Sequence, residues 1–550
     1  MAIDTEAERS SVSTGVGGQS GKVGDLFVRR SSGLTRAIGP WGALAFASVA
    51  PGIVVALVFI MWTSWLYPGM YYPWAVSAVA FVIPIALLYW LFSTTMPRSG
   101  GEYIYVTRTL SAPIGLMCSW IVNLTQTAAV GLVCMWVVSY GIGDSFAAYA
   151  LAGHPWANNV ADFCWSNWGR TIGVVILCAL MMYCLLRGTK FVMRLIWVNI
   201  IVSFVILALL AILVMKSGHS GFVQSWNAIN PQSYSGILKT ASVHGYLVPF
   251  VLSASLMGGM TYVCQNANGS TFTANIAGEI QGVQKSQLIA LVGSPLILIV
   301  LWFALSKVVY SGIGAQFNAA LSNLQVNGSS AYPASFHGRE PFIGLLLVYF
   351  TKNPVILIGF GMLVGLALWT SLIPLCFTVH RNMFAWSFDR ILPAKFAELS
   401  KRYRQPWVTV LVVQAISLMF GLLYIWRPTW LGYQSFVILM WYVGWAFLGI
   451  SGIIFPWKRK AIYQNAPPVV RAKFLGVPVI SILGVITVII CAVTEVFMLK
   501  PILAGTISVP AVVTTLVLLA APFALFYGVK AYRAKGAVPL DMQFSQIPPE

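Results

Sequence analysis

Apolar residues fill this chain in long blocks separated by short polar connections. Twelve such segments run at approximately 38–66, 73–95, 112–142, 171–187, 191–215, 246–281, 287–311, 354–380, 407–426, 432–456, 475–498 and 507–529. Each is close to the ~20 residues that cross a bilayer core. The pattern predicts an all-α polytopic membrane protein with twelve transmembrane helices.

Two segments are interrupted. In segment 6 the stretch YVCQNANGSTFTANIAGE, Tyr262 to Glu279, places QNANGST between two of the greasiest runs of the chain. One reading is a surface loop; the other is backbone unwound at membrane depth, which survives only when packed in protein or lining a hydrated cavity. Gly258-Gly259 offers a second bend. Segment 1 carries FASVAPGIVVAL, in which Pro51 removes a backbone donor and Gly52 tolerates almost any φ. Ala50-Pro51-Gly52 is then either a proline kink or a true break. Interruptions in the first and sixth segments are five helices apart, the spacing expected of an inverted repeat whose broken helices meet at a substrate site.

Charge chooses between the readings of QNANGST. Arg29, Arg30 and Arg36 precede segment 1, Arg98 and Arg108 follow segment 2, and Arg187, Lys190 and Arg194 follow segment 4. Further clusters follow segments 8 (Arg381, Arg390, Lys395, Lys401, Arg402, Arg404), 10 (Lys458, Arg459, Lys460, Arg471, Lys473) and 12 (Lys530, Arg533, Lys535). All lie on one side if both termini are cytoplasmic, whereas an extra crossing at QNANGST would move every cluster from Arg381 onward outside. The opposite connections, 143–170, 216–245 and 312–353, are long and poor in Lys and Arg.

Composition agrees: 58% of residues are hydrophobic, 9% charged, and mean hydropathy is +0.81. The formal charge of +19 is read as topology and attraction to anionic lipid, not as nucleic-acid binding. Residues 1–37 are polar, rich in Ser and Gly, and without the apolar core of a signal peptide, so a disordered cytoplasmic tail is expected. The remaining organisation expected is a ten-helix core at 38–456, a basic cytoplasmic connection at 457–474, helices 11 and 12 within 475–529, and a cytoplasmic tail at 530–550. Seven of the eight cysteines fall in apolar runs without CxxC spacing or histidine partners, which argues against a metal site or a disulfide framework. No metal and no cofactor are expected. The five histidines are scattered, and no catalytic constellation appears.

Three stretches resemble the amino acid-polyamine-organocation (APC) permeases. MPRSGGEYIYVTRTLSAPIG, Met96 to Gly115, resembles the family's proline followed by Gly-Gly-x-Tyr-x-Tyr before helix 3. IAGEIQGVQKSQLIA, Ile276 to Ala290, resembles its acidic segment after helix 6, and VHRNMFAWSFDRILPAKF, Val379 to Phe396, its Arg-rich turn after helix 8. The likeness covers roughly 34–456. The first break reads APG where many members have Gly-x-Gly, and QGVQ replaces the usual Lys-Asn-Pro run.

The resemblance implies a five-plus-five inverted repeat core with broken helices 1 and 6, plus two additional helices. It also implies a secondary active transporter of amino acids in the plasma membrane, working by alternating access. A polyamine or other organic amine transporter is the alternative, as is a non-transporting nutrient sensor, although the tails are short for a sensor's output region.

The residues can be weighed for that chemistry. N–H groups at the start of a half-helix beginning at Gly52-Ile53, with Ala50 and Pro51, suit a substrate carboxylate. Carbonyls freed around Gln265 to Asn268, next to Gly269, Ser270 and Thr271, suit an ammonium. Helices 1, 3 and 8 supply no buried acid, which fits a neutral amino acid. Ser119, Asn123, Gln126 and Thr127 share one face of helix 3, with Asn123 about 16 Å from its cytoplasmic end; helix-to-helix hydrogen bonding is the competing role. Phe272 is either an aromatic lid or a packed core ring. Thr370 and Ser371 in helix 8 are candidate Na⁺ ligands, or hydroxyls bonded to their own preceding turn. Glu279 is a candidate for H⁺ coupling, or half of a structural pair with an arginine.

Overall fold

The computed structural model describes residues 33–34, 36–66, 69–71, 81–260, 264–505, 509–534, 540–544 and 546–548. Most of the expected N-terminal tail, residues 73–80 of segment 2 and residues 261–263 lie outside the described residues. The fold is helical, with one two-stranded hairpin, Lys473–Phe474 with Val477–Pro478, in the basic connection after segment 10.

Every predicted segment contains helix. Among the described residues nine helices are long and apolar enough to cross a membrane: Ala112–Leu151, Asn167–Leu186, Thr189–Ile229, Val283–Ile313, Pro354–Phe388, Trp407–Trp426, Leu439–Lys458, Val479–Phe497 and Val513–Arg533. The connections read from the sequence as long loops are largely helical. Helix continues through 143–151, segment 5 runs on to Ile229, and Ala315–Val326 is a helix of its own. Small and polar residues at 143–151 lowered the hydropathy without stopping the backbone from winding, whereas the run to Ile229 is two helices joined at a kink, with Gly218 at φ 64°.

Segment 3 is central, and glycine lets its neighbours approach. A β-carbon on Gly131 would lie 2.5 Å from the Ser417 carbonyl of segment 9, and one on Gly141 2.8 Å from Cα of Gly365 in segment 8. Contacts this close substitute for large side chains where a membrane gives little hydrophobic drive between helices.

Two arginines counted above among the basic clusters are buried in paired sites. Arg108 holds Asp389 in a two-pronged pair at 2.6 and 2.7 Å, with the Tyr103 hydroxyl donating to the same carboxylate at 2.8 Å. Arg381 sits inside the helix that ends at Phe388, seven residues beyond it, because its partner Glu279 neutralises it there.

Candidate functional site

Segment 1 breaks where Pro51 and Gly52 predict. The first helix, Pro40–Val49, ends, residues 51–55 form turns with Gly52 at φ 77°, and helix resumes at Ala56. The second half thus begins three residues later than Ile53. The Gly52 N–H donates to Val49 O at 2.9 Å and Val55 N–H to Gly52 O at 3.2 Å. Among the described groups, the N–H of Ile53 and of Val54 meet no acceptor.

Segment 6 differs from the expectation of unwound backbone. After Leu252–Gly258, one α-turn at Cys264–Ala267 leads directly into a 3-10 helix, Asn268–Asn275, and a second at Ala277–Glu279. QNANGST is therefore wound, its first three residues as an α-turn and Asn268 to Thr271 more tightly, and not opened. Gly269 has no left-handed φ; its missing side chain serves close approach, since a β-carbon there would lie 2.9 Å from Pro51 N and 3.0 Å from the Ala50 carbonyl carbon. A backbone seated directly on another backbone needs a slim helix at the contact, which the 3-10 form provides.

The two interruptions thus meet. Asn266 Nδ2 donates to Pro51 O at 2.6 Å, satisfying one carbonyl that the proline break releases. Ala50 and Ile53 are buried, as are Ser270, Thr271 and Phe272. The side chain of Asn268 lies outside the described residues. Ser270 Oγ has no partner among the described groups, whereas Phe272 packs against the Trp441 ring at 5.9 Å, a core contact.

On segment 3, Ser119 accepts from Trp386 Nε1 at 3.0 Å and Asn123 Oδ1 accepts from Asn382 Nδ2 at 2.9 Å, so both face segment 8. Asn123 Nδ2 is buried and has no partner among the described groups. Gln126 donates to Thr125, and the Thr127 hydroxyl bonds back to Asn123 O at 2.8 Å.

Segment 8 packs on the first break, its Ser371 Cβ 3.8 Å from where a Gly52 β-carbon would stand. Both candidate ion-binding hydroxyls are engaged. Thr370 donates to Leu366 O at 2.7 Å and Ser371 to Leu368 O at 2.7 Å, each within its own helix. Asn199 of segment 5, which the sequence reading passed over, donates to Ala367 O at 2.6 Å and to Thr370 Oγ1 at 2.8 Å.

Glu279 is held by Arg381 at 2.5 and 3.1 Å and by the Thr189 hydroxyl at 3.0 Å, with Gln405 joining both partners. Beside it a cavity of about 420 Å³ is lined by Arg187, Lys190, Arg194, Arg402 and Arg404.

The Gly-Gly motif has a geometric purpose. Gly100 and Gly101 take φ of 112° and 48°, Gly100 N–H donates to Asn275 O at 2.9 Å, and a β-carbon on Gly101 would strike Asn275 Nδ2 at 2.6 Å. Asn275 Nδ2 in turn reaches the Glu102 carboxylate at 3.1 and 3.3 Å and Asn382 Oδ1 at 2.9 Å. Glu102, Asn275 and Asn382 were all inside quoted motifs, yet only their convergence in space marks them.

At the other end, Glu340 Oε2 accepts from Trp62 Nε1 at 3.3 Å and from the Tyr140 hydroxyl. This joins the second half of segment 1 to the end of segment 3 through the 327–342 connection. Burial raises the Glu340 carboxyl above the ordinary range, against the opposing pull of these donors and Arg170.

A family model described as amino acid permease matches residues 38–521. A curated relative, the methylthioribose transporter of Bacillus subtilis (strain 168), is 23% identical over 346 residues. That match covers 60% of this chain and 63% of the relative, less than two thirds of either. With the family match running from the first helix to the twelfth segment of a multi-pass membrane protein, the chain belongs to the amino acid permease family of the APC superfamily.

Proposed function

We propose that this protein is a secondary transporter that moves a neutral amino acid across the plasma membrane by alternating access. The chain crosses twelve times with both termini cytoplasmic, segments 1–5 and 6–10 form the inverted repeat, and the substrate lies where the two interruptions meet. The observation that carries this reading is the contact of Gly269 with Ala50-Pro51, beside N–H groups at Ile53 and Val54 that meet no acceptor among the described groups. Donors fixed at a helix start suit a carboxylate, and carbonyls at the break take the ammonium. Ser270 and Asn123 each keep a polar atom without a partner among the described groups.

No Asp, Glu, Lys or Arg occurs in residues 40–66 or 251–278. A polyamine, which needs anionic partners, fits such a site poorly. An uncharged methylthioribose-like solute is the second reading, favoured by the relative's name. Coupling through Na⁺ at Thr370 and Ser371 would use the lone pairs left on hydroxyls that already donate within their helix, Thr370 also accepting from Asn199, and H⁺ uptake at Glu279 would break its pair with Arg381.

Uptake into proteoliposomes tests this. Labelled neutral amino acids, a polyamine and methylthioribose are offered separately, with Na⁺ and pH gradients imposed one at a time. Saturable uptake of a neutral amino acid is expected; uptake of methylthioribose alone would replace the first reading by the second.

A further inference from the structure

Glu102 is a buried carboxyl, 4% exposed, with no cation in contact among the described residues. Its hydrogen-bond partners are neutral: Asn275 Nδ2, Asn382 Nδ2 at 3.5 Å and the Tyr89 hydroxyl at 3.5 Å. This contrasts with its neighbours. Asp389 has Arg108, and Glu279 has Arg381. A carboxylate buried without a counter-ion pays a large desolvation penalty, which protonation removes.

The amides around it form a continuous chain toward the substrate region. Asn275 Nδ2 spans Glu102 and Asn382 Oδ1, and Asn382 Nδ2 spans Glu102 and Asn123 Oδ1. Asn123 then ends in the unpartnered Nδ2 on the polar face of segment 3. Each link belongs to a different segment, 6, 8 and 3, so a change of charge at Glu102 alters what holds these helices together.

We propose that Glu102 is the proton-binding residue of the transport cycle, and that its protonation state reaches Asn123 through Asn275 and Asn382. The inference rests on the transporter reading above. The step is the binding of one H⁺: a carboxylate lone pair forms an O–H bond, with no redox change, and the same proton leaves on release. When ionised, Glu102 draws both amide N–H groups toward itself. When neutral, it becomes a donor toward the Tyr89 oxygen, and Asn275 and Asn382 turn to each other and to Asn123.

The ionisable groups facing Glu102 are Tyr89 on segment 2 and Cys118 on segment 3; Tyr105, on its own helix, faces Tyr89. Segment 6 presents Asn275 and segment 8 Asn382, while Arg108, Arg381, Glu279 and Asp389 are engaged with one another. Lys458 and Arg459 at the end of segment 10 bind the carbonyls of Leu110 and Arg108. Burial pushes the Glu102 carboxyl up to about 7, against the pull of the amides and Tyr89.

The test uses the full chain in two arms. Infrared difference spectra of protein in lipid nanodiscs are recorded across the window from about pH 5 to about pH 9 that brackets a shifted carboxyl. A protonated-carboxyl band that titrates near neutrality, disappears in Glu102→Gln and persists at a shifted midpoint in Glu102→Asp is expected. In proteoliposomes, a labelled mixture of amino acids, a polyamine and methylthioribose should accumulate under an inward pH gradient in the wild type. Glu102→Gln and Asn382→Ala should lose that stimulation yet retain counterflow exchange. A band unchanged in Glu102→Gln overturns the proposal, and so does an undiminished pH response in that variant. If the band is lost but only methylthioribose enters, the amino acid reading falls and the proton site stands. If no probe enters, the transport reading fails, and the role of Glu102 in transport with it.

Discussion

Gly269 and Pro51 touch backbone to backbone: a β-carbon on the glycine would sit 2.9 Å from the proline nitrogen. No flexible side chain lies between them to yield. Gly269→Ala should therefore push segments 1 and 6 apart, costing about 1–3 kcal/mol as overpacking does and abolishing uptake. Thermal melting and proteoliposome uptake measure the two effects. Normal uptake in Gly269→Ala would show that the contact is incidental to transport.

Asn266 supplies a donor to the carbonyl that Pro51 leaves free. Asn266→Ala should destabilise by about 1 kcal/mol, the net worth of one hydrogen bond, whereas Asn266→Asp brings an acceptor against an acceptor and should cost more. Comparing the two melting temperatures at neutral pH separates a lost bond from a new repulsion. Equal effects would remove the hydrogen bond from the account.

Glu279 and Arg381 form a buried pair. Glu279→Gln leaves the guanidinium uncompensated, for which about 3–5 kcal/mol is expected. A double variant, Glu279→Gln with Arg381→Met, should recover much of that loss. A coupling role would instead leave stability intact and change only the pH dependence of transport, so melting curves and pH profiles of the same variants discriminate.

The Glu340 carboxyl, buried in the 327–342 connection, lies above its ordinary value. The folded state then holds its proton to higher pH than the unfolded chain. Its contribution to stability is full below the ordinary carboxyl value of about 4.3 and is lost as pH rises through the folded value. Glu340→Gln should flatten that part of the curve of melting temperature against pH, while Asp144, Arg170, Tyr140 and Tyr332 remain in place. Superimposable curves for wild type and variant would refute it.

Topology has its own check. Ser330 and Lys401 are both exposed and lie on opposite sides in the proposed arrangement. With the eight native cysteines replaced, Ser330→Cys should react with an impermeant thiol reagent in intact cells and Lys401→Cys only after permeabilisation. Labelling of Lys401→Cys from outside would change the number of crossings.

Local signals survived the passage from sequence to structure, and long-range ones did not. Pro51 and Gly52 act on their own backbone, so the first break was readable from three letters. The 3-10 winding of Asn268–Asn275 was not legible, since the close neighbours of Gly269 within it are residues 50 and 51, far away in the chain. The pairing of Arg108 and Arg381 was not legible because their partners stand 281 and 102 positions away. Asn199 carried no signal at all; one asparagine in an apolar run declares nothing until helix 8 is placed beside it. For Glu102 the motif was visible, but the residue stands at the variable position of Gly-Gly-x-Tyr-x-Tyr, and the amides that surround it come from segments 6 and 8.

The tight winding of segment 6 also sets a length. Eight residues from Asn268 to Asn275 rise roughly 16 Å as a 3-10 helix, against about 12 Å as an α-helix. The inner half of the segment therefore reaches about 4 Å deeper than its residue count implies. That reach delivers Asn275 to Gly100 and Glu279 to Arg381 at the far end. Rewinding these eight residues to the wider form would withdraw both contacts together, as a piston retracts, and would pull the Asn275 amide from Glu102 and Asn382 in the same movement.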